Sequence, residues 1–321
     1  MKKVTVIGAG LAGSEAAWQL ARRGIPVLLV EMRPVKMTPA HTGGFFGELV
    51  CSNSLGADVL TSPAGILKAE LRRLDSLVMR AADSASVPAG RALAVDRERF
   101  AETITNVLLN HPLMEIERKE MTEIPAGPCI VATGPLTSEA MAGCLKALAG
   151  EEFLYFFDAV APVLTRDSID MTRAYRASRY GGKEDYINCP LNEAEYDELV
   201  EGLVSAERAL KHDFEKKQPY FEGCLPVEIL AMRGRDTLRF GPLRPVGLPD
   251  PSTGKEPFAV VQLRQDNTEG TLFNMVGFQT NLKWKEQERV FRIIPALREA
   301  EFVRLGVMHR NLYVNAPRVL D

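Results

Sequence analysis

Histidine is scarce in this 321-residue chain, at four residues, and its five cysteines, Cys51, Cys129, Cys144, Cys189 and Cys224, include no C-x-x-C pair. Clustered thiolates and imidazoles are what a structural metal site needs, and an odd set of unpaired-looking thiols makes no disulfide framework. We therefore expect no metal and a reducing compartment. No apolar run approaches the ~20 residues that span a bilayer, and no basic-then-apolar leader precedes the first strand-like run. The expected location is cytoplasmic, with no membrane partner. Repeats and low-complexity tracts are missing too. Nor does one sign of charge dominate: 39 basic against 42 acidic side chains leave a net charge of −3. Only locally, over Gln279 to Arg310, do basic residues outnumber acidic ones, seven to four, a surplus that is ordinarily solvated surface. What remains is a chain with 46% hydrophobic and 25% charged residues, long enough for one large or two moderate domains.

The most informative stretch is Lys3 to Glu31. Val4, Val6 and Ile7 make a short β-branched run, and Gly8, Gly10 and Gly13 follow at the spacing G-x-G-x-x-G. Ala16, Ala17, Leu20 and Ala21 then share one helical face, and Val27 to Val30 forms a second strand ending in Glu31. The three glycines act differently. Gly8 permits the tight turn, Gly10 lets backbone approach a pyrophosphate, and Gly13 lets helix and strand pack closely. With Ala9, Leu11 and Ala12 between them, these residues present a helix N-terminus to phosphates. Glu31, 23 residues after Gly8, stands where a carboxylate takes the ribose hydroxyls of an adenosine.

Further along, Arg33 to Gly47 lacks periodicity and reads as loop. Ser62 and Pro63 look like an N-cap and first helical residue, with Leu67, Leu71, Leu74 and Val78 at helical spacing; Asp96 opens another helix with Phe100, Ile104, Val107 and Leu108 inside. Cys129 to Thr133 reads as a short strand ending in Gly134, followed by a helix over Ser138 to Leu148. Alternating strands and helices predict a parallel sheet covered on both faces. From about Glu152 the texture changes. An aromatic cluster (Phe153, Tyr155, Phe156, Phe157) leads to an amphipathic helix capped by Asn192 with Glu195, burying Tyr196, Leu199, Val200 and Leu203. Strand-like pieces follow at Thr237 to Phe240, Phe258 to Leu263 and Leu272 to Val276, interrupted by the turn-rich Pro242 to Pro257. The fold class is α/β: a Rossmann-like nucleotide-binding domain with an inserted mixed α/β domain.

Among the thiols, Cys51 stands with Ser52, Asn53 and Ser54, a polar setting that a packing cysteine does not favour. Cys224, between Gly223 and Leu225-Pro226, sits in a turn context that would expose sulfur. Cys129, Cys144 and Cys189 read as packing residues.

Several blocks together carry a family resemblance: VIGAGLAGSEAAWQLARRG at the start, ELVCSNSL (Glu48 to Leu55), AGILKAEL (Ala64 to Leu71), CIVATGP (Cys129 to Pro135), YFEGCLPVE (Tyr220 to Glu228), MVGFQTNLKW (Met275 to Trp284) and GVMHRNLY (Gly306 to Tyr313). In these the chain resembles the folate- and FAD-dependent tRNA (uracil-5-)-methyltransferases over essentially its whole length. The resemblance implies FAD at Gly8, Ala9, Gly10, Leu11, Ala12, Gly13 and Glu31, with Thr133-Gly134 against the flavin nucleotide. It also implies methylenetetrahydrofolate as one-carbon source, NAD(P)H as electron donor, and methylation of the T-loop uridine at position 54 of tRNA. Both catalytic thiols have matches, at Cys51 and Cys224; we take Cys224 as the nucleophile toward uracil C6 and Cys51 as the proton acceptor or its partner. Lys283, Lys285, Arg289 and Arg310 become candidate phosphate or folate contacts, and His309-Arg310 reads equally as substrate contacts or as packing at a domain junction. The implied domains are 1–155 for FAD, 156–290 as the insertion facing tRNA, and 291–321 returning toward the first. No second glycine motif follows Asn311 to Asn315, so a C-terminal flavin-closing segment is expected to be absent. A generic flavin-dependent oxidoreductase and a non-catalytic, truncated flavin- or RNA-binding relative are the competing readings.

Overall fold

The computed structural model describes residues 2–149, 154–179, 183–209 and 225–313. Its first layer grows from the β-branched run at the start of the chain. β1 (Val4–Ile7) pairs in parallel with β2 (Val27–Glu31) and with β7 (Cys129–Val131), and β6 (Met114–Arg118) pairs in parallel with β2. The order is β6-β2-β1-β7. α1 (Leu11–Ala21), α3 (Leu77–Ser84) and α4 (Arg97–Leu109) share one core with this sheet, centred on Val6, Leu29, Ala17, Leu77, Phe100 and Ile104. Asp96 caps α4, its Oδ1 accepting from the N–H groups of Glu98 and Arg99, a contact worth about 1 kcal/mol. A small antiparallel sheet, β3 (Ser54–Ala57), β4 (Ser86–Val87) and β5 (Ala92–Val95), lies in the same stretch of chain.

After α5 (Glu139–Ala149), β8 (Leu154–Ala159) leads into a second sheet, and β15 (Met308–Tyr313) leads out of it; the two pair antiparallel, so entry and exit are side by side. Between them β9 (Val163–Thr165), β10 (Tyr175–Ala177), β11 (Tyr186–Leu191), β12 (Ala259–Gln265), β13 (Leu272–Met275) and β14 (Phe302–Arg304) form an antiparallel sheet in the order β10-β11-β12-β13-β9-β14. Every residue of the central β12 is buried, polar Gln262, Arg264 and Gln265 included. α6 (Glu193–Ser205), α7 (Val227–Met232) and α9 (Trp284–Phe291) close the core over this sheet, with Tyr196, Phe273, Phe278 and Phe291 fully buried. The capping box at Asn192 and Glu195 is formed. No helix among the described residues is long and apolar enough to cross a membrane.

Two expectations fail. Thr237 to Phe240 is not a strand but a single helical turn, α8 (Thr237–Phe240): Gly234 and Gly241 bracket it too closely for an extended run, and it turns Leu238 into the core. The leucine spacing after Ser62 does not mark a buried face either. In α2 (Pro63–Arg73), Gly65 presses its backbone onto Val59, where a Cβ would lie 2.0 Å from the Val59 carbonyl oxygen. That close approach turns Gly65 and Lys68 inward and leaves Leu67 and Leu74 exposed. The helix then breaks at Asp75, in left-handed backbone at φ 54°, before Ser76 caps α3.

Candidate active site

At the carboxyl ends of β1 and β2 opens a cleft walled by Gly8, Gly10, Glu31, His41, Thr133 and Thr137. The glycines differ in role as the spacing implies. A Cβ on Gly8 would lie 2.6 Å from the Ala132 carbonyl oxygen, and one on Gly13 would lie 1.8 Å from that of Gly8; a Cβ on Gly10 would meet nothing within 4 Å. Gly8 and Gly13 are thus required by packing, whereas Gly10 borders open space. It stands at the N-cap of α1 with no side chain bonding the helix end, so the N-terminal N–H groups and dipole face the cleft. Gly134, in left-handed backbone at φ 65°, also borders open space, and Thr133 Oγ1 lies 2.7 Å from Thr137 Oγ1.

Glu31 is only 5% exposed. Its Oε2 accepts the Ala9 N–H at 2.8 Å, and its Oε1 accepts both the N–H and Nε–H of Arg33 at 3.0 Å. Burial opposes its charge, yet Arg33 and these N–H groups hold the carboxyl below the usual carboxylate range. Ala9 therefore spends its N–H on Glu31, and of the two carboxylate oxygens Oε2 retains acceptor capacity for a hydroxyl while Oε1 is already doubly engaged by Arg33. Arg33 goes on to Glu48 at 2.8 Å. His41, beside them, is pushed down to about 4 by burial and by the Arg33 charge, with His309 adding to the effect.

Cys51 follows this network along the chain. Its Sγ donates toward the Ala159 carbonyl at 3.5 Å and toward Asp158 Oδ1 at 3.9 Å. It lines a polar cavity of about 100 Å³ with Ser52, Arg97, Arg264, Asn274 and Gln279. The wall is held by Asn53, fully buried, whose amide donates to the Val95 and Gln265 carbonyls while its oxygen accepts from Arg264 Nε at 2.9 Å and Asn274 at 3.1 Å. Arg97 pairs with Asp266 at 3.3 Å. Arg304 sits at a β-bulge, a device that re-aims side chains near sites. Its Nε and Nη2 are buried without a hydrogen-bond partner among the described residues; burial and Arg97 push its affinity for a proton down, while Asp266, Glu48 and Cys51 oppose them.

A second motif block, MVGFQTNLKW, reaches this cavity through Met275, Val276, Gly277 and Gln279 and is tied to two others. Val227 N–H donates to the Gln279 carbonyl at 2.7 Å, and Glu228 accepts from Thr280 Oγ1 and the Asn281 N–H at 2.9 and 2.8 Å, joining the YFEGCLPVE and GFQTNLKW segments. Burial raises the Glu228 carboxyl above its usual range. Gln287 likewise clamps Gly306, donating to its carbonyl and accepting its N–H. Cys224 lies outside the described residues, as does Phe153. Of the basic candidates, Lys283 is paired with Glu207 at 2.5 Å and Arg289 with Glu286 at 2.6 Å, both on exposed surface, and Lys285 is also exposed. The backbone of Arg310 lies in β15; its side chain is not among the described features. His309 is only 5% exposed, with Nδ1 2.9 Å from Asn311 Oδ1 and Nε2 buried without a hydrogen-bond partner among the described residues. Cys189 is fully buried and pushed up to about 12 by that burial, Cys129 is raised for the same reason, and Cys144 donates to the Thr122 carbonyl. Among the described residues no cluster of His, Cys, Asp or Glu is arranged to hold a metal.

Asp158, Arg304 and Gln279 were not singled out from sequence as chemistry-bearing residues. Arg264 carried the one signal, as a cation next to the apolar Phe258 to Leu263 run.

The residues fit a flavin dinucleotide. A glycine-bordered cleft at an open helix N-terminus suits a pyrophosphate, and the orphaned His309 Nε2 and Arg304 nitrogens are buried donors or acceptors that a polar ring system would satisfy.

Comparison with known proteins agrees with this geometry. The family described as Glucose inhibited division protein A (GIDA) matches residues 3–321. The methylenetetrahydrofolate--tRNA-(uracil-5-)-methyltransferase TrmFO of Moorella thermoacetica is 62% identical over 99% of the chain and 73% of its own length. The chain belongs to this family. The TrmFO of Anoxybacillus flavithermus is 60% identical over 99% of the chain and 74% of its own length. Among solved structures, Aquifex aeolicus GidA in its form II crystal superposes with a TM-score of 0.68 at 15% identity, covering 97% of this chain and 55% of that one, which extends the likeness of fold alone. A generic flavin oxidoreductase and a non-catalytic relative are not favoured by this match.

Proposed function

We propose that this chain, like the TrmFO enzymes, is a folate-dependent tRNA uracil-5-methyltransferase and that its site works as follows. The one-carbon unit comes from methylenetetrahydrofolate and the target is the T-loop uridine at position 54. FAD, when bound, supplies the hydride that converts the transferred methylene to methyl, and NAD(P)H restores it. Residues 1–155 would hold FAD, through Gly8, Gly10, Leu11, Ala12 and Gly13 at the helix end, Glu31 at the ribose, and Thr133-Gly134 opposite. Residues 156–290 would present tRNA, and 291–321 would return to the first domain. Lys283, Lys285, Arg289, His309 and Arg310 remain candidates for contact with RNA or folate.

Uracil C5 is a poor nucleophile until a thiolate adds to C6 and delivers electron density to C5 and O4. Cys224 is the proposed attacking thiol. Cys51, in its polar cavity with Asp158 3.9 Å from its sulfur, then accepts the C5 proton as a thiolate once the new carbon–carbon bond has formed, and arrival of the hydride at the methylene carbon expels the Cys224 thiolate from C6. The observation that carries the reading is the meeting in one cavity of two motif blocks far apart in the chain, at Cys51-Ser52 and at Met275 to Gln279. It is supported by Val227, three residues after Cys224 in sequence, whose N–H bonds Gln279 on the same wall.

The test is capture of a T-loop minihelix carrying 5-fluorouridine by the flavin-loaded protein. A covalent adduct that disappears in Cys224→Ala and survives in Cys51→Ala supports both the reaction and the division of roles. A flavin-loaded protein forming no adduct would overturn the methyltransferase reading; loss of the adduct in Cys51→Ala alone would exchange the roles.

A further inference from the structure

The cavity beside Cys51 contains one polar side chain that no other described residue engages. Ser52 Oγ accepts from Arg264 and from the Ser54 N–H. Arg97 is engaged by Asp266 and the Leu49 carbonyl. Arg264 and Asn274 bond each other and Asn53. Gln279 lines the same cavity, and among the described residues its amide group makes no hydrogen bond, although the residue is partly buried. Its backbone is nevertheless fixed: the carbonyl receives the Val227 N–H at 2.7 Å, and the neighbours Phe278 and Thr280 are both fully buried. A primary amide carried on a loop four residues beyond β13, its backbone pinned by Val227 and both its oxygen and its NH₂ unspent among the described residues, is poised to read a ligand rather than to hold the fold.

We propose that Gln279 is the residue that distinguishes uracil from cytosine, by pairing with the imide edge of a base extruded into this cavity. The inference rests on the methyltransferase reading and deepens it. Uracil presents an N3–H donor beside an O4 acceptor, the complement of a carboxamide's oxygen and NH₂. Cytosine reverses both, offering N4–H₂ and an unprotonated N3, and so meets two mismatched groups. The cavity is lined by Cys51, Ser52, Arg264, Asn274 and Gln279 together, so a base seated there lies against the thiol and the amide at once. Phosphate is a poorer fit as occupant, because the arginines on this wall already have partners within the protein.

Three measurements on flavin-loaded protein test this. Gln279→Leu is expected to lower kcat/KM on a uridine minihelix 10- to 100-fold with flavin content unchanged. Gln279→Glu, whose carboxylate accepts from N4–H₂ but repels O4, is expected to lower the uridine-to-cytidine ratio in 5-fluoropyrimidine capture by at least 100-fold. Independently of any variant, the unaltered protein is expected to lose at least tenfold in rate on a minihelix with 3-methyluridine at the target, which lacks N3–H. Equal rates on uridine and 3-methyluridine, or a uridine-to-cytidine ratio unchanged in both variants, would overturn the assignment while leaving the methyltransferase reading intact. Absence of any capture by the unaltered protein would overturn both.

Discussion

The sulfur of Cys51 and the carboxylate of Asp158 lie 3.9 Å apart, although 107 residues separate them in the chain. The contact exists because β8 and β15 pair in a register that sets Asp158 opposite His309, and the same Oδ1 is anchored by the Ala159 N–H at 2.9 Å. If Cys51 is the proton acceptor, it must act as the thiolate, and Asp158, toward which its S–H points, is the group that takes that proton before the one from C5 arrives. Asp158→Asn should therefore slow methyl transfer about tenfold or more, the size of a lost general acid–base partner. Capture of 5-fluorouridine and flavin content should be preserved. Parallel loss of capture and turnover would show that Asp158 serves the fold instead.

His41 makes a prediction about pH. Its folded value, near 4, lies below the ordinary 6.5, so the unfolded chain takes up the proton first as pH falls. The stabilisation is complete above about 6.5 and is lost as pH drops from there toward 4. For a partly buried ring the effect is of order 1–2 kcal/mol after allowance for solvent. His41→Gln should flatten the cofactor-free protein's stability between pH 6.5 and 4, measured by urea denaturation. The lowered Glu31 carboxyl acts in a lower window: its contribution holds above its usual 4.5 and disappears only as pH falls further.

The glycine loop separates folding from binding. Gly13→Ala forces a Cβ to within 1.8 Å of the Gly8 carbonyl oxygen, and should cost about 2–4 kcal/mol through backbone displacement. A Cβ at Gly10 meets no protein atom within 4 Å, so in Gly10→Val the thermal midpoint of the cofactor-free chain should shift little while flavin retention falls at least tenfold. Flavin absorbance and calorimetry on the two variants decide the point, and equal flavin content in Gly10→Val and the parent would remove the cleft from consideration.

Asn53→Ala should be the most damaging polar truncation near the site. Four hydrogen bonds are lost at once and the Arg264 guanidinium, whose protonation burial already disfavours, is left without its Nε partner. A loss of about 3–5 kcal/mol is expected in denaturant titration. A change below about 1 kcal/mol would mean that water replaces the amide.

Much of this was legible in the chain itself, where local rules govern. The G-x-G-x-x-G loop, the Asp96 cap and the Asn192–Glu195 box are decided by residues within a few positions of one another, and each forms as its spacing implies. Thr237 to Phe240 misled because four residues of strand-like composition carry too little periodicity to outweigh the glycines around them. The stripe at Leu67 and Leu74 misled because a backbone contact of Gly65, invisible to hydropathy, decides which side of α2 faces inward. For the site, Cys51 stood out by its polar neighbours. Asp158, Arg304 and Gln279 did not, since each acquires its meaning only from strand register and from what it does or does not bond.

The fourfold engagement of Asn53 reaches beyond stability. Because that amide grips β5 on one side and β12 and β13 on the other, the loop two residues upstream is stapled to both sheets and has little freedom to travel. Cys51 is thereby the stationary party in any encounter, and choreography falls to whatever arrives: a nucleotide must swing to the sulfur, since the sulfur will not swing to it.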